Sequence, residues 1–348
     1  MTKLRLSKLT GAVILALGVS TSAMAADTSS AMRGKITTPS GGNAANVKIK
    51  VVHQPTGTIS ELTTNESGTF IANGLRVGGP YMVIIDSDTF NDTTVENIYL
   101  NLGETYRLSS QLAPLNIEKI EVSGYKIVQQ SGGSSSTCGS DTIENMPSFN
   151  RDIKDIARLN PLASINGNGE LTFAGSNPRT NGLTVDGIGQ NDDFGLNFGG
   201  YPTSQPPVAL DAIEQVSVDV SPFSASKGNF GGGTINAVTK SGTNEFKFSG
   251  FYEISTPEIA GDVDNIVQED DLDELGHKTY STNKVEPIKT EERFGFNVGG
   301  AIIEDELFYF VNYAEWSSEL DLDYGFDGSG ASNEFNTSEA NYNRFISI

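Results

Sequence analysis

The sequence predicts a multidomain, mainly β protein: a β-sandwich, then a small α/β domain, then the first strands of a transmembrane antiparallel β-barrel. Three observations carry that prediction. Short bursts of apolar alternation recur between turn residues, in a chain of 348 residues with 38 glycines and 13 prolines, a composition suited to many short strands. The chain opens with a leader of export type. No later run is long and apolar enough for a transmembrane helix, so an integral contact with a membrane falls to strands.

In the leader, Lys3, Arg5 and Lys8 precede an apolar run over residues 9–19, and Ala23-Met24-Ala25 supplies small residues for cleavage after Ala25. The run falls short of the roughly 20 apolar residues that span a bilayer, so residues 1–25 are expected to be a signal peptide. The whole chain carries 23 Lys and Arg against 44 Asp and Glu, a net charge of −21. That charge argues against a nucleic-acid partner. One cysteine and two histidines give neither an internal disulfide nor a Cys- or His-based zinc centre, and no cofactor is expected.

Residues 29–114 read as the sandwich, a compact antiparallel one. Val47, Ile49 and Val51, then Phe70, then Tyr81, Val83 and Ile85, then Ile98, Leu100 and Leu102 alternate with polar residues. Thr38-Pro39-Ser40-Gly41-Gly42, Asn65-Glu66-Ser67-Gly68 and Gly78-Gly79-Pro80 punctuate them as turns. Residues 63–70 with 75–81 resemble the carboxypeptidase regulatory-like domain, whose fold is grouped with carbohydrate-binding-like sandwiches. That resemblance implies no catalysis. His53, before Gln54-Pro55 at a strand end, is expected to be a solvated edge histidine, since no second ligand is near.

Residues 115–140 read as a short strand and a linker. In the run Glu118, Lys119, Ile120, Glu121, Val122, Ser123, Gly124, the aliphatic Ile120 and Val122 point one way and their neighbours the other. A tethered strand with free backbone groups can add to the edge of a partner's sheet; it can equally be the last strand of the sandwich. The run resembles the TonB box of outer-membrane receptors, with Glu121 where that family more often has an aliphatic. Residues 129–140, rich in Ser and Gly, are expected to be a flexible linker holding Cys138.

Residues 141–243 read as the α/β unit. Ile153, Ile156, Ala157 and Leu159 form one face of a short helix that ends before Pro161, and a helical patch over residues 209–215 leads into a strand over 216–220. The ordered motifs Leu183-Thr184-Val185-Asp186-Gly187-Ile188, Leu210-Asp211-Ala212-Ile213-Glu214-Gln215-Val216 and Gly228-Asn229-Phe230-Gly231-Gly232-Gly233-Thr234 resemble the plug domain of TonB-dependent receptors. Gln190-Asn191-Asp192-Asp193-Phe194-Gly195 and Ser241-Gly242-Thr243-Asn244 are similar to its Oar-like branch, which also bears an N-terminal sandwich. The glycine clusters lack the G-x-G-x-x-G and P-loop patterns, so tight turns are expected. Asp186, Asp192 and Asp193 have no partner base or metal spacing and read as a solvated loop.

Residues 244–348 read as the start of a barrel. Phe246, Phe248, Tyr252 and Ile254 share one face of a strand over 244–254, and Phe294, Phe296, Val298 and Ile302 share one face of a strand over 293–303. A three-residue turn, Glu304-Asp305-Glu306, then a strand over 307–316 follow. Long acidic loop, short turn, long loop is the asymmetry of outer-membrane barrels. The stretch 257–292, with Asp262, Asp264, Asp270, Asp271, Asp273 and Glu274, fits no EF-hand and is expected to be a solvated segment. Barrels that hold a plug use about 22 strands, and residues 244–348 hold three and the start of a fourth. The expectation is an N-terminal fragment lacking most of its barrel and unable to transport alone.

The resemblance as a whole implies energy-coupled uptake across the cell outer membrane, with three kinds of partner. TonB would bind residues 118–124 by strand addition, outer-membrane lipid would surround the barrel, and a small substrate (siderophore, peptide or oligosaccharide) would be carried. A structural or adhesive surface protein without transport is the alternative. No catalytic constellation is assembled, so an enzyme is not expected.

Overall fold

The computed structural model describes residues 27–115, 134–148, 151–166, 169–192, 206–222, 227–228, 230–256, 259, 263–272, 276–285, 290–322 and 335–347. The described chain is mainly β and divides into two compact units, residues 1–240 and 241–348.

The first unit begins with seven strands in two sheets. They are β1 (Ser30–Thr37), β2 (Lys48–His53), β3 (Thr58–Thr63), β4 (Thr69–Leu75), β5 (Gly78–Asp86), β6 (Thr93–Leu100) and β7 (Thr105–Gln111). One sheet has the order β4-β1-β7 and the other β3-β2-β5-β6. The alternation in the sequence becomes alternation in burial: in β1 every second residue faces the core, as the period of a strand requires. Met32, Ile36, Phe70 and Leu108 from one sheet meet Ile49, Val51, Tyr81, Val83, Ile85 and Leu100 from the other in one apolar cluster. Two local expectations change. The sheets are not purely antiparallel, because β1 and β7 run parallel. Gly78-Gly79-Pro80 lie within the start of β5, where Gly78 pairs with Leu100 and the register shifts before Tyr81, so this Gly-Gly-Pro forms an irregular strand end instead of a turn.

A second set of elements follows in the same unit: β8 (Ser134–Gly139), α1 (Ser140–Asn145), α2 (Ile153–Ala157), β9 (Ala163–Ile165), β10 (Leu171–Phe173), β11 (Gly182–Val185), β12 (Ile188–Gly189), β13 (Ile213–Val220) and β14 (Gly233–Thr239). Five strands form a mixed sheet of order β12-β11-β14-β13-β8, while β9 and β10 form a separate hairpin. β11 and β14 are parallel, and β13 is antiparallel to both β14 and β8. Asp152 caps α2, accepting from the Lys154 N–H at 2.9 Å, and Ile153, Ile156 and Ala157 are buried. Leu159 lies past the helix end and is exposed, so the apolar face is one residue shorter than its spacing predicts. The helical patch at 209–215 is a single 3-10 turn, Leu210–Ala212, and the strand starts at Ile213.

The serine-rich tract departs further from expectation. Its residues 134–139 are the edge strand β8, paired along its length with β13, and Cys138 sits opposite Val216 and is buried. Pairing to an existing strand supplies the backbone hydrogen bonds that low intrinsic β-propensity does not encourage.

The second unit contains β15 (Lys247–Ser255), β16 (Val263–Leu272), β17 (Lys278–Val285), β18 (Thr290–Ile303), β19 (Leu307–Leu322) and β20 (Phe335–Ser347). Four of them make an antiparallel sheet of order β15-β18-β19-β20. The three-residue turn 304–306 joins β18 to β19, with Ile303 paired to Leu307. Within the acidic stretch, β16 and β17 pair as a hairpin of their own. Asp264, Asp270 and Asp271 belong to β16, so this part of the expected solvated segment is regular secondary structure. Asp262, Asp273 and Glu274 lie outside the described residues.

Candidate functional site

Three strands of the four-stranded sheet, β15, β18 and β19, turn an aromatic face outward. Because β15, β18 and β19 pair in register, Phe248 lies beside Val298 and Val298 beside Val311, and Tyr252 lies beside Phe294. This apolar face is open: Phe248 is 68% exposed, Tyr252 63% and Ile302 63%. Tyr313 stacks on Phe296 at 5.6 Å between ring centroids. On the opposite face Asn297 is 8% and Asn312 0% exposed, beside Phe310 at 6%; Phe251, Ala314 and Trp316 share that face, and Ser249 on it is exposed. Ser249, Asn297 and Asn312 are directly opposite one another across three strands. Asn312 Nδ2 donates to Asn297 Oδ1 at 2.6 Å, and Asn297 Nδ2 donates to Ser249 Oγ at 3.2 Å. At one end of the strands Glu291 accepts from Trp316 Nε1 at 2.6 Å and is ion-paired with Arg293.

In a soluble sandwich the arrangement would be the reverse, because exposed hydrocarbon costs roughly 25 cal/mol per Å² in water. An exposed aromatic face suits a surface that meets hydrocarbon. The alternation was legible in the sequence. The amide row was not, since Ser249, Asn297 and Asn312 become neighbours only through the strand register.

The mixed sheet is fastened by polar brackets. Asp186 and Gly187 both have positive φ, 48° and 78°, and form the two-residue turn of the β11–β12 hairpin, the conformation an Asp-Gly pair favours. The Asp186 carboxylate accepts from the Thr239 N–H at 3.0 Å and from Thr239 Oγ1 at 2.8 Å. It is therefore a tie between β11 and β14, where a merely solvated carboxylate was expected. Asp193 lies outside the described residues. Arg151 pairs with Asp211 and Lys227 with Asp219, and Lys240 Nζ reaches Glu144 Oε1 at 2.6 Å. Gly232 and Gly233 are explained by close approach: a Cβ at 233 would meet the Phe173 ring at 2.6 Å, and one at 232 would meet Asn181 Oδ1 at 2.7 Å.

His53 is not the solvated edge residue that its position suggests. It is buried, its Nδ1 shares a 2.7 Å hydrogen bond with Thr56 Oγ1, and its ring lies 4.7 Å from that of Tyr81. Burial first, and the positive charge of Arg76 second, pull the imidazole down to about 4. Burial likewise pushes the Tyr81 phenol up to about 12 and the Cys138 thiol upward. Among the described residues no group of three or more His, Cys, Asp or Glu side chains is placed to hold a metal ion. The segment Glu118 to Gly124 lies outside the described residues, between Leu115 and the start of β8 at Ser134.

Comparison with known proteins adds the following. Residues 31–113 match the carboxypeptidase regulatory-like domain. Over 250 residues the chain is 27% identical to the TonB-dependent transporter Oar of Myxococcus xanthus, a match covering 68% of this chain and 22% of that protein. Over 245 residues it is 27% identical to the probable TonB-dependent siderophore receptor PirA of Acinetobacter baumannii, covering 65% of this chain and 29% of the relative. Among solved structures it is similar to the outer membrane transporter YddB of Escherichia coli, with a TM-score of 0.42, 18% identity, and coverage of 62% of this chain and 30% of that one.

The chain thus carries a carboxypeptidase regulatory-like domain and is a relative of TonB-dependent transporters. It spans less than a third of the length of the curated relatives it matches.

Proposed function

We propose that this chain is part of a TonB-dependent outer-membrane receptor that couples uptake of a small substrate to pulling by TonB. In this reading residues 1–25 direct export, residues 141–243 are the plug, and the strands after residue 244 belong to the wall of an antiparallel barrel in outer-membrane lipid. Residues 118–124 are the segment that TonB captures. The observation that carries the reading is the exposed aromatic face of the β15-β18-β19 sheet. Its apolar stretch has the right height: residues 294–303, at about 3.3 Å per residue and a tilt of about 45°, rise about 23 Å, against the roughly 25 Å apolar band of such barrels. The relationship to Oar and PirA and the order of the plug-like motifs support the same conclusion.

The mechanism follows from strand chemistry. Substrate bound above the plug releases residues 118–124, and TonB adds them to its own sheet edge, with main-chain hydrogen bonds supplying affinity and Ile120 and Val122 setting register. Force on that strand then rearranges the plug. No catalytic group or cofactor takes part. Siderophore, peptide and oligosaccharide are the substrate classes considered. Proline removes an N–H donor and fixes φ, so Ile120→Pro is expected to weaken binding of a TonB C-terminal domain to the full chain at least about tenfold, about 1.4 kcal/mol. Unchanged affinity in calorimetric titration would overturn the coupling role of this segment.

A further inference from the structure

The mixed sheet has a second unusual face. Gln215, Ser217 and Asp219 alternate along β13, with Asn236 on β14 and Thr137 on β8 both directly opposite Ser217, and Thr184 on β11 beside Asn236. A row of polar side chains on one face of a strand predicts contact with water. Yet Gln215, Ser217, Asp219 and Asn236 are all buried.

Part of the cover is the β-sandwich of the same unit. Gln215 Oε1 accepts the N–H of Leu102 at 2.5 Å, from the turn between β6 and β7. Asn236 Nδ2 donates to the carbonyl oxygen of Asp27 at 2.6 Å, and a Cβ at Gly103 in the same turn would meet Asp27 Oδ2 at 3.2 Å. Glu214 comes so close to Gly78 that a Cβ there would stand 2.8 Å from its Oε1.

We propose that the polar face of β13 and β14 is a docking surface for the chain's own sandwich, and that the contact opens as a unit, both partners staying folded. Each partner keeps its own apolar core when they part: the sandwich cluster is drawn wholly from residues 32–112, and Val216, Val218, Val220, Ile235 and Ala237 fill the other face of the sheet. What separation exposes on β13 and β14 is amide and hydroxyl, for which water is a ready partner, and Leu102, buried outside the sandwich cluster, is the apolar side chain at the contact. Such polar contacts between domains are those that come apart. One group gains outright. Thr137 Oγ1, directly opposite Ser217, is buried without a hydrogen-bond partner among the described residues, and access of water to this face would give it one. The proposal does not depend on transport, and neither Ser217 nor Gln215 belongs to the segment assigned to TonB.

The test uses the full chain in a Cys138→Ser background with Ser217→Cys, and reads the rate at which a maleimide-linked polyethylene glycol labels the new thiol. Local lifting predicts labelling under native conditions with little dependence on urea, and about tenfold faster labelling when Gln215→Ala removes the acceptor for Leu102. Labelling that carries the full urea dependence of global unfolding, or that Gln215→Ala leaves unchanged, would overturn the proposal. Hydrogen exchange of the Leu102 amide in the unaltered chain provides the second measurement. It is expected to show the same shallow urea dependence, and exchange only through global unfolding would count against the docked-and-released state even if the cysteine variant failed to fold.

Discussion

The imidazole of His53 is packed on Tyr81 and hydrogen-bonded to Thr56, and it is held neutral by burial and by Arg76. Its folded value of about 4 lies below the unfolded 6.5, so the unfolded chain binds more protons between those limits. The stability it contributes is complete above pH 6.5 and is lost as pH falls through 4. Calorimetric melting of the full chain from pH 7.5 to 4 is expected to lose about 2 kcal/mol to this group, after allowing for solvent screening. His53→Gln should flatten that part of the profile, and equal slopes in the two proteins would show that His53 is not its source. Asp186 and Cys138 teach the same lesson in other chemistry. The Asp-Gly pair at residues 186–187 was legible as a turn from its residue types alone. That its carboxylate ties Thr239, more than fifty residues away, has no local signature. Cys138 is surrounded in sequence by Ser, Thr and Gly, and it is buried in a strand that pairs with β13, opposite Val216.

At the scale of elements, strands with a strict period of two were the most legible parts of the chain. The apolar sets in β2, β5 and β6 face the sandwich core, because each lost side chain contact there would cost hydrocarbon exposure. In β15 and β18 the same period produces the opposite outcome, with the apolar set outward. On the proposal that this set meets lipid, Phe296→Lys should raise the free energy of folding into a bilayer by about 2–4 kcal/mol, the cost of a cation at mid-depth. Folding titrations in phospholipid vesicles check it, and a neutral effect would place Phe296 away from lipid. Elements with weak patterns were the ones misread. β8 looked like linker because serine and glycine resist regular structure in isolation, and the irregular start of β5 looked like a turn because Gly-Gly-Pro ordinarily is one.

For the whole molecule, the division into residues 1–240 and 241–348 has a direct thermodynamic consequence. The chain's single tryptophan, Trp316, lies in the second unit, hydrogen-bonded to Glu291. Its fluorescence therefore reports that unit alone, while far-ultraviolet circular dichroism reports both. Denaturant titrations followed by the two signals are expected to give non-coincident transitions. Coincident curves would mean that the two units unfold as one cooperative body.

The sequence by itself determined the mainly β character of the chain, the strand faces and the positions of most turns. These follow from hydrophobic periodicity and from residues with special backbone preferences, which act over a few neighbours. Tertiary structure decided what each face meets. Polar alternation in β13 and apolar alternation in β15 say which atoms line a surface, whereas its covering is supplied by hydrogen bonds such as Gln215 to Leu102, 113 residues apart. Such contacts exist only once the strands are in register, because a side chain's partner across a sheet is set by pairing and not by its neighbours along the chain.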